Sequence, residues 1–165
     1  MYTSIDNFLT DWKFECASSE KLFANLTDAS LSQKAWEHGR ELGRLSWHLA
    51  LSTVEMLNHA GLNVQGPDES SPTPSSASAI QETLKQVNAA SLPELKKWTD
   101  EMLPAEIPMY GRKWKRGFVL TVLIHHHIHH RGQMTVLMRQ AGLKVPGMAG
   151  PSRDEWIAWG REPLT

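Results

Sequence analysis

The segment HHHIHHRGQ, residues 125–133, decides how this chain is interpreted. It holds five of the eight histidines and lies inside an apolar run, with residues 118–124 before it and residues 134–138 after it. Apolar flanks of this kind are typical of a buried helix, and a buried helix does not collect imidazoles without a reason. His126 and His130 lie four residues apart, so their side chains stack on one face of that helix.

The helical period orders the side chains around this segment. With His126 as the reference and about 100° per residue, the side chains within about 60° of it predict one core-facing stripe. These side chains are Val119, Leu123, His130, Gln133 and Leu137. His125 and His127 fall to either side of the stripe, and Arg131 lies farther round. His129 borders the stripe, and it is either an alternative ligand or a residue that supports the site.

Two neutral imidazoles on one helix face can bind a divalent cation, but two ligands make a weak site. We therefore expect a third ligand from a neighbouring helix, and His48 is the best candidate because it lies in the apolar helical segment 45–51. Glu41 and Glu55 lie one period to either side, where they could orient its imidazole through the other ring nitrogen. Three imidazoles would leave coordination positions open for water or substrate, which is the catalytic pattern.

Composition limits the class of protein. With 165 residues, a formal net charge of −1 and 41% hydrophobic residues, the chain predicts one domain over residues 1–165 and no nucleic-acid partner. The single cysteine, Cys16, excludes an intramolecular disulfide. The amino-terminal segment lacks the features of a signal peptide, and no apolar stretch reaches the roughly 18 to 20 residues that span a bilayer. We expect a cytoplasmic protein with no membrane partner.

Helical periodicity covers nearly the whole chain, and no segment has a convincing strand pattern. Four main helices are expected, at about residues 5–26, 39–60, 80–102 and 114–141. Residues 91–94 resemble a capping box that would divide the third helix into two pieces, and residues 66–79 predict an exposed loop. The predicted fold class is all-α, a bundle of four antiparallel helices with one long connection and a short helical tail near residues 154–160.

The motif HxxxHRGQ at residues 126–133 closely resembles the signature region of the DinB family, a group of DinB/YfiT-like proteins that includes metal-dependent enzymes. The upstream segment WHL at residues 47–49 matches the place where that family carries its first histidine. Residues 143–147 and 150–152 resemble the closing segments of the family. The resemblance covers essentially the whole chain.

The resemblance implies a DinB/YfiT-like four-helix bundle with a three-histidine metal site that often holds zinc or nickel. Carried over to this chain, the ligands are His48, His126 and His130, the same set that the spacing favours. Gly132 of the motif would let another helix approach closely. Family members are commonly dimeric, so a homodimer is expected. Characterised relatives include S-transferases and isomerases that use a low-molecular-weight thiol, alongside proposed hydrolases.

Three functions are compatible with these features. The leading hypothesis is a metal-dependent hydrolase or thiol-dependent S-transferase that acts on a small-molecule substrate, because the ion is the only chemical group that the sequence offers. The second is a non-catalytic, stress-associated helical bundle that binds metal. The third is a helical dimerisation protein with incidental histidines. If the ligands are imidazoles, metal affinity should fall as the pH drops through about 6.5, the usual histidine pKa.

Overall fold

The computed structural model describes residues 1–163 and contains four long helices and one short helix. The helices are α1 (Ile5–Phe23), α2 (Leu42–His59), α3 (Ala77–Leu95), α4 (Arg116–Gln140) and α5 (Arg153–Ala158). A two-stranded antiparallel sheet, β1 (Glu106–Met109) and β2 (Arg112–Lys115), precedes α4. The predicted all-α bundle with a short C-terminal helix is confirmed, with this small sheet added. Residues 164–165 of the predicted domain lie outside the described part of the chain.

Local sequence signals fix several helix ends. The Ser4 hydroxyl accepts a hydrogen bond from the backbone N–H of Asn7 and caps α1. Ser76 caps α3 in the same way. Gly61 and Gly142 follow α2 and α4 with φ of 95° and 72°, a left-handed conformation that glycine adopts without a steric penalty. The predicted ends of these two helices, at about residues 60 and 141, are therefore confirmed to within one residue.

Helix α4 packs between α1 and α2, and α3 contacts α1 and α2 on the other side of the bundle. Helices α2 and α4 are antiparallel. The Ser46 hydroxyl lies 4.0 Å from the sulfur of Met134, and about two turns farther along α2 the Thr53 hydroxyl lies 2.8 Å from Nε2 of His127. Residue numbers thus increase along α2 as they decrease along α4. This pairing determines which side chains of α4 can meet those of α2.

Helices α1 and α4, in contrast, run in the same direction. Trp12 of α1 contacts His127, and Ser19 farther along α1 accepts a hydrogen bond from Arg131. The expectation of four antiparallel helices with one long connection is therefore wrong. The connections 24–41, 60–76 and 96–115 are all long. Because the chain returns along the bundle between α2 and α3, these two helices also run in the same direction.

Helix α3 is continuous, which corrects the predicted break at residues 91–94. It extends to Leu95 and includes Pro93 in its last turn. The Ser91 hydroxyl does not cap a new helix. It donates to the carbonyl of Asn88 and accepts a hydrogen bond of 2.8 Å from the indole N–H of Trp12. The Ser91 hydroxyl, which would have capped the predicted new helix, therefore forms a tertiary contact with α1 instead.

The β-hairpin formed by β1 and β2 was not predicted from the sequence. Its strands are only four residues long, and Ile107 pairs with Trp114 across it. Tyr110 and Gly111 form the turn with φ of 49° and 75°, and two successive positive φ values match the right-handed twist of short hairpins. The last long helix consequently begins at Arg116. Within residues 1–163, no helix combines the length and apolar character needed to cross a bilayer.

Candidate metal centre

Three histidines meet where α2 faces α4. His48 lies on α2, and His126 and His130 lie one turn apart on α4. Nε2 of His48 is 3.0 Å from Nε2 of His126, and one ring nitrogen of each histidine lies within 4.8 Å of the other two. Nitrogen ligands of one zinc ion, at about 2.0–2.1 Å from it, are roughly 3 to 3.4 Å apart. The cluster therefore has the dimensions and the donor atoms to hold a divalent cation.

The environment keeps these imidazoles neutral, which is the form that binds metal. Burial lowers the pKa of His48 to about 4, and repulsion from a protonated His130 and from Arg40 and Arg44 adds to the effect. Burial also lowers the pKa of His126 to about 4, again with a contribution from His130. The pKa of His130 is lowered by burial as well, although its hydrogen bond to Gln133 opposes the shift. Near pH 7 all three side chains carry a free lone pair.

Gln133 determines the tautomer of His130. Nδ1 of His130 lies 2.8 Å from Oε1 of Gln133, and an amide oxygen can only accept. Nδ1 therefore carries the proton and donates it, which leaves the lone pair on Nε2. Metal-binding histidines commonly donate their other ring N–H to an acceptor of this kind. The spacing placed Gln133 on the histidine stripe, but nothing in the sequence showed that it orients a ligand.

The cluster lies in the wall of an open cavity of about 770 Å³. Helices α2 and α4 form two sides, and residues 33–41, which we call the cavity loop, form a third. Apolar side chains from all three line it, namely Trp36, Leu45, Val136 and Leu137. Cavities of this size, mostly apolar with a few polar groups, are typical of small-molecule sites. A small molecule in this space would be in contact with the three imidazoles.

The carboxylates expected to orient His48 do not reach it. Glu41 pairs with Lys34 at 3.3 Å in the cavity loop. Glu55 accepts a hydrogen bond of 2.7 Å from the hydroxyl of Tyr110. Each glutamate is seven residues from His48, which is about two helical turns or roughly 10 Å along α2 and too far for a hydrogen bond. The prediction that they support the site is wrong.

The predicted centre of the α4 stripe is also corrected. His127, expected beside the stripe, is fully buried, whereas His126 is only partly buried. Because α4 contacts both α1 and α2, its most buried face points between these helices. His126 and His130 lie at the edge of that face, on the α2 side. His129 is exposed and lies outside the three-nitrogen group, although it lines the cavity.

His127 has a separate role in the core. Its Nε2 is 2.8 Å from the hydroxyl of Thr53, which donates its own proton to the carbonyl of Leu49 at 2.9 Å. Nε2 of His127 is therefore the donor in this pair. The ring also packs edge-on against Trp12 with centroids 4.9 Å apart. Burial lowers the pKa of His127 well below its usual value, so it is a neutral histidine that joins α4 to α1 and α2.

A buried ion pair lies on the α1 side of the same helix. The guanidinium of Arg131 contacts the carboxylate of Glu15 and also donates to the Glu15 carbonyl at 2.8 Å and to the Ser19 hydroxyl at 3.0 Å. The helical wheel centred on His126 had placed Arg131 away from the core. Arg131 directly follows His130 in the chain. The ion pair between Arg131 and Glu15 therefore joins α4 to α1 at the level of the histidine cluster.

The close backbone contact expected at Gly132 occurs elsewhere. A Cβ atom at Gly132 would meet nothing within 4 Å, so this glycine does not admit another helix. A Cβ at Gly117 would come within 2.0 Å of the carbonyl oxygen of Tyr2. The chain start runs along α4 there, with a hydrogen bond of 3.1 Å from the Tyr2 N–H to the Gly117 carbonyl. Gly117, at the first turn of α4, therefore has no room for a side chain.

The fold and this cluster define a helical bundle with a candidate three-histidine centre, and comparison with known proteins gives its family. The DinB family model matches residues 1–162, and the chain belongs to the DinB family. It is 42% identical over 163 residues to the uncharacterized protein YrdA of Bacillus subtilis, a match that covers 98% of both chains.

Two solved structures have related folds. A DinB-like protein from Bacillus cereus has a TM-score of 0.85 and 42% sequence identity, and the match covers 89% of this chain and 99% of that one. A DinB-like protein from Bacillus subtilis, YjoA, has a TM-score of 0.60 and 24% identity, with 87% and 95% of the two chains covered. The second likeness concerns the fold alone. The resemblance of the HxxxHRGQ region to the DinB family is thus confirmed.

Proposed function

We propose that this protein binds one divalent metal ion, zinc or nickel, through His48, His126 and His130 and uses it to transform a small molecule. The observation that carries this proposal is the approach of three neutral imidazoles to one another in the wall of an open cavity. Three protein ligands leave part of the coordination sphere open, as in catalytic zinc sites. The reaction we favour is hydrolysis or thiol-dependent S-transfer.

A bound ion would supply Lewis acidity, which lowers the pKa of a coordinated water or thiol and so provides a nucleophile near neutral pH. The protein's own groups have complementary tasks. Gln133 keeps the lone pair of His130 on Nε2. Trp36, Val136 and Leu137 line the substrate space with apolar surface against which an apolar part of a substrate can pack.

The cavity offers no competing nucleophile. Among the described residues that line it, there is no serine, cysteine, lysine or carboxylate. Cys16 is buried in α1, and burial raises the pKa of its thiol, so it is an unreactive core residue. A nucleophile that reacts in this cavity would therefore come from a bound water or from a thiol cosubstrate of low molecular weight.

Metal content is the first test of this proposal. Untagged protein, purified without chelator, should retain about one ion per chain by inductively coupled plasma mass spectrometry. His48→Ala, His126→Ala and His130→Ala should each lose it. His129→Ala is the matched control, because His129 lines the same cavity but lies outside the three-nitrogen group. Loss of the ion in His129→Ala, with retention in His48→Ala, would contradict the proposed ligand set.

Catalysis is tested separately. Zinc-loaded and nickel-loaded protein should be assayed with thiols plus electrophiles and with panels of esters and amides. Activity that disappears in His48→Ala, with the fold intact by circular dichroism, would support catalysis at this centre. Activity that is unchanged in His48→Ala would contradict it.

The second candidate function is a non-catalytic metal-binding bundle, and one observation favours it. The ligands come from two different helices, so an ion would join α2 to α4 and stabilise their packing. Stoichiometric metal without turnover in the screen would support this candidate. Homodimer assembly and a cytoplasmic location remain predictions, and sedimentation equilibrium of the full chain tests the first of them.

A further inference from the structure

The cavity loop is held firmly at its base. The N–H of Leu42 donates to the carbonyl of Gln33 at 2.9 Å, and the N–H of Gly43 donates to the carbonyl of Leu31 at 2.8 Å. These two bonds join the start of α2 to the chain just before the loop. Lys34 and Glu41 also pair at 3.3 Å across the loop. The side chains that the loop directs at the cavity are therefore presented from a defined backbone.

Trp36 gives the loop an apolar surface beside the histidines. The N–H of Gly39 donates to the carbonyl of Trp36 at 2.9 Å and closes a tight turn. The indole lies over Gly39, where a Cβ atom would be 3.0 Å from Cδ1 of Trp36. Although it lines the cavity, the indole is 63% exposed. A large aromatic surface is thus open to a molecule that occupies the cavity.

Arg40 is the one formally charged side chain among the described residues that line this cavity. It forms no ion pair with any carboxylate of residues 1–163. No carboxylate lines the cavity to offset its charge. Arg40 lines the same cavity as His48, His126 and His130. The cavity thus combines neutral imidazoles, apolar walls and one uncompensated positive charge.

We propose that Arg40 makes this cavity selective for small carboxylates with an apolar body. The guanidinium binds the carboxylate, and the apolar body lies between Trp36 and Val136. A guanidinium presents paired N–H donors that match a carboxylate, and such charge-assisted bonds are stronger than neutral ones. Arg40 is exposed, so contacts of the apolar body with the cavity walls add to the affinity. This inference names the substrate class of the proposed metal centre and therefore rests on the proposed function.

Phenylacetate and phenylacetamide are suitable probes, since they share shape and differ in charge. Their dissociation constants should be measured by saturation-transfer NMR titration with metal-free and with zinc-loaded full-length protein. In metal-free protein, phenylacetate should bind roughly tenfold more tightly than phenylacetamide, as expected for one charge-assisted hydrogen-bond pair. In Arg40→Gln this preference should disappear, while phenylacetamide binds as before.

Arg44→Gln is the matched control. Arg44 lies four residues along the chain and is exposed; its charge also acts on His48, but it does not line the cavity. This variant should keep the preference for phenylacetate. Equal affinities of the two probes for the unmodified protein, or a preference that persists in metal-free Arg40→Gln, would overturn the inference.

The two proposals fail independently. If the protein does not retain zinc, the proposed metal function is wrong, yet the metal-free titrations still decide whether Arg40 selects anions. If zinc binds and Arg40→Gln leaves phenylacetate affinity unchanged in metal-free protein, the metal centre stands and the carboxylate selectivity is wrong. In zinc-loaded protein, Arg40→Gln should lower phenylacetate affinity roughly tenfold without changing the zinc content.

Discussion

Oε1 of Gln133 accepts a hydrogen bond of 2.8 Å from Nδ1 of His130, one turn earlier on the same helix. The bond stays within α4, so it does not depend on any other element of the fold. It determines which nitrogen of His130 is free to bind a cation. The geometry of the proposed centre therefore depends on a residue that touches no metal.

Loss of this acceptor should weaken metal binding. In Gln133→Leu, His130 can adopt either tautomer and its ring is no longer oriented, so zinc affinity should fall by roughly 10- to 100-fold. Competition titration with a chromophoric chelator measures the change. Gln133→Glu should bind zinc nearly as well as the unmodified protein, because a carboxylate also accepts from Nδ1.

Gln140→Leu is the control for this series, since Gln140 is an exposed glutamine at the end of α4. It should leave zinc affinity unchanged. If Gln133→Leu behaved like Gln140→Leu, the orienting role of Gln133 would be wrong.

The pH dependence of metal affinity should occur below the usual histidine range. Burial holds the pKa of His48 and of His126 at about 4, below the value of about 6.5 that the sequence suggested. Protons compete with metal only below the pKa of the ligand in the folded protein. His48 and His126 therefore stay unprotonated well below pH 6.5, and zinc affinity should fall most steeply as the pH approaches 4. Calorimetric titration across this range measures it, and a steep fall centred near pH 6.5 would refute the expectation.

The stability of the metal-free protein should have a different pH dependence. His127 stays neutral in the fold because burial lowers its pKa, whereas the unfolded chain binds a proton below about pH 6.5. The unfolded state therefore binds more protons there, and the free energy of unfolding should decrease as the pH falls from about 7.5 to about 5.5. The contribution of one such group is at most about 1.4 kcal/mol per pH unit.

Urea denaturation at several pH values tests this prediction. His127→Gln should make the dependence less steep by the contribution of one group, while His48, His126 and His130, whose pKa values are also lowered, keep the remainder. His125→Gln, at an exposed neighbouring position, should leave it unchanged. Parallel curves for the unmodified protein and His127→Gln would show that His127 is not responsible.

The buried ion pair between Glu15 and Arg131 should be costly to break. Arg131→Met leaves a buried carboxylate without its partner, so the free energy of unfolding should fall by about 3–5 kcal/mol. The double variant Glu15→Leu, Arg131→Met removes both charges and should recover much of this loss. Lys21→Met, which removes the exposed pair with Glu155, should cost less than about 1 kcal/mol. Equal losses in Arg131→Met and the double variant, by urea denaturation, would contradict the assignment.

The parts of this molecule that sequence predicted are those that depend on local spacing. His126 and His130 are one helical turn apart, so their common face follows from the helical period alone. His48 lies in an apolar segment of a second helix, which made it the best partner. Gly61 and Gly142 after α2 and α4 likewise act within a few residues of the helix ends they determine.

The missed features depend on which helices become neighbours. His127 is the most buried histidine because α4 lies between α1 and α2. The helical periodicity of α4 alone does not reveal which two helices pack against it. The partner of Arg131 is Glu15, 116 residues away in the chain. Ser91 had the sequence of a helix start, but Trp12 uses its hydroxyl in the core. Each of these outcomes was decided by a partner distant in sequence.

Because the three imidazoles lie on two helices, α2 and α4, the stability of the fold should depend on the concentration of the free metal ion. A cation held by His48 and His126 would act as a cross-link, closing a loop of the chain that includes all of α3 and the hairpin. By mass action, free ion at about a hundred times its dissociation constant adds about 2.7 kcal/mol to stability. A cell short of that ion would then hold less of this protein, because the unloaded chain opens more often and proteases reach it.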